Sequence, residues 1–383
     1  MSGPWSKPGR IRELIVLFGT LGVIGFGGPA AHIALMRREV VERRGWLSDA
    51  ELLDLVGVTS LIPGPNSTEL AMLVGRRRAG RAGLMVAGLA FIVPAAAIVL
   101  ALAWAYVAYG ATPAGEAILY GVAPVVVAIV VAALIAFARS ALGRPLAMAL
   151  AVTVAGLWLI GVNELVLLLT AAVVMAFARV GATSGAGTFL LLPVLGAAGA
   201  SAVNLVTLAG VFLKAGALLY GSGYVLVAFL RGDLVERLGW LTDVQLLDAV
   251  AIGQVTPGPL FTTATFIGYL LAGIPGAVVA TAAIFLPAFV VVALIAPWVE
   301  RIRDRPLTAA LLDGVNAAAI GLMAAVALHL GVAAIRDSVT AGIGALAVLA
   351  LLSGRVPSVV LVLCGAAVGL AAAAAGIGPL TDL

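Results

Sequence analysis

The sequence predicts an all-α polytopic membrane protein, and three observations lead to that fold class. Of the 383 residues, 63% are hydrophobic and only 10% are charged, whereas soluble domains carry about 25% charged residues. Apolar runs long enough to cross a bilayer core of about 30 Å recur from one end of the chain to the other. The second half of the chain also repeats the first, which predicts two homologous repeats within a membrane.

The internal repeat is clearest just before a Pro-Gly-Pro string. Nine of the thirteen residues from 42 to 54 are identical to those 194 positions later. The same offset carries Pro63-Gly64-Pro65 onto Pro257-Gly258-Pro259, and an offset of 193 then relates Gly80 to Gly273. A repeat of this length predicts two copies of one folding unit. The predicted organisation is a first repeat, a linker rich in Gly, Ala and Ser, and a second repeat: residues 1–180, 181–203 and 204–383.

Each repeat contains six apolar segments, of which the second is broken by its Pro-Gly-Pro string. In the first repeat they lie at 13–36, 50–75, 82–108, 116–138, 145–161 and 163–178. In the second repeat they lie at 206–230, 244–269, 274–297, 307–329, 339–353 and 356–375. Segments of 15–17 residues are short for a complete span.

Arginines in the loops predict that the two repeats have opposite orientations. The loop at residues 76–81 holds four arginines, whereas its counterpart at 269–275 has no basic residue. In the next loop the pattern is reversed, since residues 109–116 lack arginine and the counterpart holds Arg301, Arg303 and Arg305. Because basic loops favour the cytoplasm, equivalent loops lie on opposite sides. This is the signature of inverted-topology repeats.

The same rule predicts re-entrant segments at the breaks. Basic residues lie on both sides of the first Pro-Gly-Pro string, so a straight span would leave one cluster outside. A hairpin that enters and leaves on one side removes the conflict, and each repeat then makes five crossings. Lys7, Arg10 and Arg12 still lie outside unless the first segment also turns back, at Gly25-Phe26-Gly27-Gly28-Pro29.

These breaks are the predicted anion site. Proline and glycine end a helix at membrane depth, and the next helix starts with free N–H groups and about +0.5 charge, which attracts anions. Two such ends that approach from opposite faces form one central site; the alternative is a kink in a packed helix. The polar residues beside the two breaks are predicted to bind the substrate: Asn66, Ser67, Thr68, Thr256, Thr262 and Thr263.

Two charged residues in apolar surroundings are further candidates. Lys214 lies in the apolar segment that opens the second repeat, where it either supplies charge to the substrate or snorkels to the interface. With two helix ends it brings the positive charge to roughly +2, which matches a dianion. Glu69 follows the first break and either neutralises Lys214, carries a coupled proton or caps its own half-helix.

Several other kinds of site are not expected. Cys364 is alone, and His32 and His329 are far apart in the sequence, so neither a disulfide nor a metal site nor a bound cofactor is predicted. The net charge of +4 reflects membrane orientation rather than nucleic-acid binding. No nucleophile with an adjacent base is visible, which leaves a membrane-embedded enzyme as a remote alternative. A homodimer remains open.

The motifs resemble those of the chromate ion transporter family, in its long form with two fused repeats. The resemblance rests on Gly25–Pro29, the Gly-Trp-Leu-Ser/Thr-Asp element, and the two strings Ile62–Glu69 and Gln254–Thr263. It implies export of chromate across the inner membrane and chromate resistance, with a sulfate or other oxyanion carrier as the alternative. The functional positions that it implies are Gly27, Gly28, Pro29, Pro63, Gly64, Pro65, Asn66, Pro257, Gly258 and Pro259.

One stretch of the second repeat departs from the family pattern. Where the first repeat reads Phe26-Gly27-Gly28-Pro29, the second reads Tyr220-Gly221-Ser222-Gly223, so its break is expected to be softer. Gly221 and Ser222 stand at the equivalent positions. We therefore include both among the predicted substrate-binding residues.

Overall fold

A computed structural model describes residues 8–26, 28–59, 62–180, 203–219, 225–295 and 306–377, and throughout these ranges the regular structure is helical. The helices of the first repeat are α1 (Pro8–Ile24), α2 (Gly28–Arg37), α3 (Asp49–Thr59), α4 (Asn66–Tyr109), α5 (Pro113–Ala141), α6 (Pro145–Leu159) and α7 (Glu164–Val180). Those of the second repeat are α8 (Leu205–Leu218), α9 (Val225–Leu230), α10 (Asp243–Val255), α11 (Thr263–Ile295), α12 (Pro306–Ala334), α13 (Ser338–Leu352) and α14 (Ser358–Ala374). The predicted all-α fold class is confirmed.

Four helices in the described ranges are long and apolar enough to cross a membrane: α4, α5, α11 and α12. Shorter apolar helices accompany them, namely α6, α8, α13 and α14. Two π-helical segments, Arg38–Arg43 and Arg231–Arg237, occupy equivalent places in the two repeats. The chain is a polytopic helical membrane protein.

Helices α4 and α11 are each a tight hairpin rather than one straight rod. In α4 the helical dihedrals are interrupted at Ala79 and Gly80, where Gly80 takes φ 63° and ψ −148°. Gly273 of α11 takes nearly the same conformation, with φ 61° and ψ −151°. The hydroxyls of Thr265 and Thr281 are 2.7 Å apart, whereas a straight helix would separate residues sixteen positions apart by about 24 Å. We call these reversals the first tip (79–80) and the second tip (272–273).

Glycine makes the reversals possible for two reasons. The positive φ at each tip disfavours any residue with a side chain. A Cβ on Gly75 would also overlap the backbone of Gly83, and one on Gly268 would overlap that of Gly276. The arms of each hairpin therefore meet backbone to backbone, and the arginines predicted to fill a loop lie on the helices that flank the first tip.

The start of α1, the end of α2 and the start of α3 all lie beside the first tip. Glu13 of α1 is paired with Arg78 at 2.6 Å, and Arg78 also lies 4.7 Å from the ring centre of Trp46. Arg37, which ends α2, is paired at 2.7 Å with Asp49, which starts α3. Helices α1 and α2 therefore form one pair that enters from the first-tip face and returns to it. Helix α3 and the short arm of α4 (66–78) form a second such pair.

The second tip lies on the opposite face. Arg76, next to the first tip, donates to the carbonyl of Ala293 at 3.2 Å, close to the C-terminal end of α11. The long arm of α11 (274–295) starts at the second tip and is about 33 Å long. The two hairpins are thus inserted from opposite faces, as inverted-topology repeats require.

Helices α6 and α7 run between the same two faces. At the first-tip face, Arg144 before α6 and Arg179 in α7 share Asp313 as their ion-pair partner. At the second-tip face, Trp158 of α6 lies 5.4 Å from the guanidinium of Arg231. Within the described residues, the long arm of α4 (81–109), α5, α6 and α7 therefore make four crossings. The sequence counted α1 as a fifth crossing unless it turned back, and α1 does turn back. Residues 181–202 lie outside the described part of the chain, so the total per repeat stays a prediction.

The last two helices of each repeat pack on the other repeat. Helices α6 and α7 lie against α12, and α13 and α14 lie against α5. Glycines allow both contacts, because a Cβ on Gly121 of α5 would overlap Gly365 of α14, and one on Gly314 of α12 would overlap Ala171 of α7. Since Gly121 and Gly314 are equivalent positions, the exchange follows the internal two-fold relation.

Candidate functional site

The two Pro-Gly-Pro breaks are tied to the opposite repeat by equivalent backbone hydrogen bonds. The N–H of Gly64 donates to the carbonyl of Leu219, just after α8, at 2.7 Å. The N–H of Gly258 donates to the carbonyl of Gly25, just after α1, at 2.8 Å. Both partners are related by the repeat offset of 194. Four chain breaks, two from each repeat, are thus linked crosswise.

The same breaks pack against the centres of the long arms. A Cβ on Gly64 would lie 3.2 Å from that of Ala288, and one on Gly258 would overlap the side chain of Ala95. Ala95 is the midpoint of the arm 81–109. The breaks therefore lie near the middle of the helical layer, and irregular backbone at that depth is tolerated where it is buried in protein or lines a polar cavity.

Both break glycines need to be glycine. Gly64 has φ +143° and Gly258 has φ +93°, a region that residues with a Cβ rarely occupy. The neighbouring side chains also leave no room for a Cβ at either position. Each Pro-Gly-Pro string thus forms a chain reversal that is in close contact with the other repeat. It is not the simple kink in a packed helix that the sequence left as the alternative.

The first break offers polar groups to a ligand. Helix α4 starts at Asn66 without a side-chain cap, so its first N–H groups have no intrahelical acceptor. Thr68 is fully buried, and neither its Oγ1 nor the Oδ1 of Asn66 has a hydrogen-bond partner in the described part of the chain. The Thr68 hydroxyl can donate to an anion beside the helix N-terminus, whereas the amide oxygen of Asn66 accepts and needs a donor instead. An anion site at the first break stays a prediction.

The second break differs, because its threonines are satisfied by the backbone. Thr256 Oγ1 donates to the carbonyl of Ile252 at 2.9 Å, and Thr262 Oγ1 donates to that of Pro259 at 2.9 Å. Thr263 Oγ1 donates to the carbonyl of Leu260 at 2.8 Å. The sequence predicts these three residues as ligands together with the first-break residues. In this conformation their three hydroxyls are satisfied by backbone carbonyls, whereas the Thr68 hydroxyl is not.

Glu69 lies folded back over the first break. Its side chain is fully buried, and both carboxylate oxygens are without a hydrogen-bond partner among the described residues. One carboxylate oxygen of Glu69 lies so close to Gly64 that it would clash with a Cβ at that position. This position is at the start of α4, where the free N–H groups are.

Lys214 is paired with two acids away from Glu69. Its Nζ lies 3.0 Å from Oε1 of Glu164, the first residue of α7, and 2.7 Å from Oδ2 of Asp233. Asp233 is paired again with Arg237 at 2.9 Å. We call these four residues the Lys214 cluster. In the described conformation the charge of Lys214 is balanced, and a direct contact with the substrate stays a prediction.

The break after α1 is only partly described. Gly27, Gly221 and Ser222 lie outside the described residues, while Gly28, with φ +74°, starts α2 and is followed by Pro29. His32 Nε2 donates to the Gly25 carbonyl at 2.9 Å, so this carbonyl accepts both His32 and Gly258. No sequence motif indicates this role of His32.

A second polar region lies near the second-tip face. A cavity of about 290 Å³ is lined by residues that include Glu116, Tyr120, Asp248 and Arg336. Tyr106 of α4 donates to Asp248 of α10 at 2.7 Å, which joins the two repeats. Sequence reasoning recorded Asp248 only as a repeated residue. Its pairing with Tyr106 depends on packing between elements that are distant in the sequence.

Fold and site together define a class of protein: a polytopic membrane transport protein with inverted repeats that cross at broken helices. The sequence profile of the family described as "Chromate transporter" matches residues 12–196 and 206–370. The chain belongs to the chromate transporter family, as the resemblance of its motifs implied.

Curated relatives extend over nearly the whole chain. The "Chromate transport protein" of Cupriavidus metallidurans is 35% identical over 373 residues, which cover 94% of this chain and 93% of that protein. The "Probable chromate transport protein" of Synechococcus elongatus is 33% identical and covers 88% of this chain and 89% of its own. The "Chromate transport protein" of Pseudomonas aeruginosa is 34% identical, with 85% and 82% covered. No solved structure matches the chain.

Proposed function

We propose that the protein is a secondary transporter that exports chromate through the crossed breaks and so confers chromate resistance. The observation that supports this most is the pair of equivalent hydrogen bonds from Gly64 and Gly258. They join breaks that enter from opposite faces, as in transporters whose substrate site lies at the interface of inverted repeats. The names of three relatives, each a transport protein for chromate, supply the substrate.

The first break is the proposed primary anion contact, through the N–H groups at Asn66 and Ser67 and the hydroxyl of Thr68. The second break, with Thr256, Thr262 and Thr263, is proposed to engage the anion after a change of hydrogen bonds. From the sequence pattern alone, Gly27, Gly28, Pro29, Gly221 and Ser222 are proposed to contribute to the same site. Because both repeats are in one chain, this site needs no second copy.

Outward movement is the proposed direction, and the inner membrane is the proposed location. The first-tip face carries most of the described arginines, including Arg37, Arg76 and Arg144, which makes it the cytoplasmic face by the positive-inside rule. An inside-negative potential favours the exit of a dianion by about 4.6 kcal/mol per 100 mV, twice the value for one charge. Export of chromate therefore needs no chemical energy source.

Flux measurements in proteoliposomes test the proposal. Purified protein is reconstituted, the potential is clamped, and radiolabelled chromate and sulfate are compared in parallel vesicles. We expect chromate to leave the compartment that corresponds to the cytoplasm faster than sulfate, and to be recovered chemically unchanged. Equal or faster sulfate flux would favour a general oxyanion carrier, and a chemically altered product would favour an enzyme.

A further inference from the structure

Glu69 is the exception among the buried acids of the described residues. Glu164 and Asp233 are paired with Lys214, and Asp248 accepts a hydrogen bond from Tyr106. Glu69 is fully buried, and neither of its oxygens has a hydrogen-bond partner. A buried ionised carboxylate without partners is strongly unfavourable. The oxygens of Glu69 make no capping hydrogen bond to the start of α4, so the helix dipole offsets only part of that cost.

The elements packed against the short arm of α4 provide no counter-charge. Helix α11 contains no charged residue. Ionisable groups on the other neighbouring elements have partners of their own. Near the first tip, Arg10, Glu13 and Arg78 interact with one another's helices, Arg37 is paired with Asp49, and Arg76 donates to carbonyls of α11. Elsewhere, His32 is bonded to Gly25, Glu51 to Ser48 and Asp248 to Tyr106, and Asp54 also has an interaction. The Glu69 carboxylate is therefore buried without a hydrogen-bonded counter-charge among the described residues.

The position of this carboxylate sets its effect on a bound anion. Two half-helix ends contribute about +1 in total, and an ionised Glu69 beside the first end reduces that sum to about zero. A dianion would then gain nothing from the helix ends. A protonated Glu69 keeps the positive sum and adds an O–H donor that can reach an oxyanion oxygen, as the unpaired Thr68 hydroxyl can.

We propose that Glu69 binds a proton together with the anion, so that each oxyanion is carried with one proton. This proposal rests on the proposed function, since it assigns the coupling at the same site. The proton stays on the carboxyl while the anion is bound, and both are released on the far side. The transported unit then carries one net negative charge instead of two.

The sharpest test is the charge carried per chromate by the wild-type protein. Proteoliposomes are held at set potentials in an alkaline buffer in which chromate is entirely the dianion. Labelled flux, current and the pH of an internal dye are recorded together. We expect one elementary charge per chromate and one proton moved in the same direction. Two charges per chromate with no pH change would overturn the proposal while leaving chromate transport in place.

The variant Glu69→Gln gives a second measurement. Glutamine keeps the size and a donor but cannot titrate, so chromate should move without protons and with two charges each. Its affinity should be independent of pH, whereas wild-type affinity should fall as the pH rises, because the carboxyl that accompanies the anion loses its proton. Glu42→Gln, which changes a half-exposed acid in the ion pair with Arg37, is the matched control and should behave as wild type.

The outcomes separate the two proposals. Absence of chromate flux in the wild type contradicts the proposed function itself. Chromate flux with pH-independent affinity in the wild type contradicts only the role of Glu69. Because both readouts use the wild-type protein, the proposal is decided even if Glu69→Gln fails to fold.

Discussion

Replacing Lys214 by methionine separates two roles for this residue. Methionine keeps the length of the side chain but removes the charge, so Glu164 loses its ion-pair partner while Asp233 keeps Arg237. The side chains of Glu164 and Asp233 are only 7% and 5% exposed. Breaking a buried pair costs about 3–5 kcal/mol, and since one of the two acids keeps a partner we expect about 3 kcal/mol here.

The double variant Lys214→Met/Glu164→Gln supplies the control. A neutral amide removes the uncompensated charge, so we expect at least half of the lost stability to return, and chromate flux with it. Thermal unfolding in detergent and flux in proteoliposomes are measured for the wild type, both single variants and the double variant. An unchanged unfolding temperature in Lys214→Met would refute the structural role of the Lys214 cluster. A stable but inactive double variant would instead support direct substrate contact by Lys214.

Two further predictions follow from the fold. In a Cys364→Ser background, cysteines at the exposed positions Arg77 and Ile274, beside the first and second tips, should be labelled by an impermeant reagent from opposite sides; labelling from one side would rule out inverted repeats. Gly258→Ala introduces a Cβ at φ +93° against Ala95, so it should cost about 1–3 kcal/mol and most of the flux. The control Gly143→Ala has open space around it, and equal loss in both variants would contradict the argument.

Much of the fold could be predicted because each segment can be compared with its equivalent in the other repeat. The swapped arginine loops predicted opposite orientations, and the two tips on opposite faces agree with that prediction. The re-entrant course of α1 was an option raised by Lys7, Arg10 and Arg12, whose charges conflicted with a simple span. The charge pattern indicates on which face of the membrane each end of a segment lies, and the topology follows from those positions.

The details of packing could not be predicted, since they depend on register between distant segments. Gly75 and Gly83 were visible in the sequence, but glycine alone does not indicate whether a loop or a tight helical reversal follows. Glu164, the first residue of α7, lies fifty positions before Lys214, and no local sequence pattern links the two residues. The unsatisfied side chains of Asn66, Thr68 and Glu69 became evident only once their surroundings were known.

In each repeat the last two helices pack against the other repeat, and this limits how such a protein could be assembled from two separately encoded halves. A single repeat made alone would expose the face of α5 that α13 and α14 cover, as well as the faces of α6 and α7 that rest on α12. It would therefore need a partner with the opposite orientation in the membrane. That partner is either a second copy of a chain that inserts in both orientations or a paralogue whose arginines favour the opposite orientation. Two half-length chains expressed together should rebuild the complete unit without a covalent connection, provided that each is inserted with its own fixed orientation.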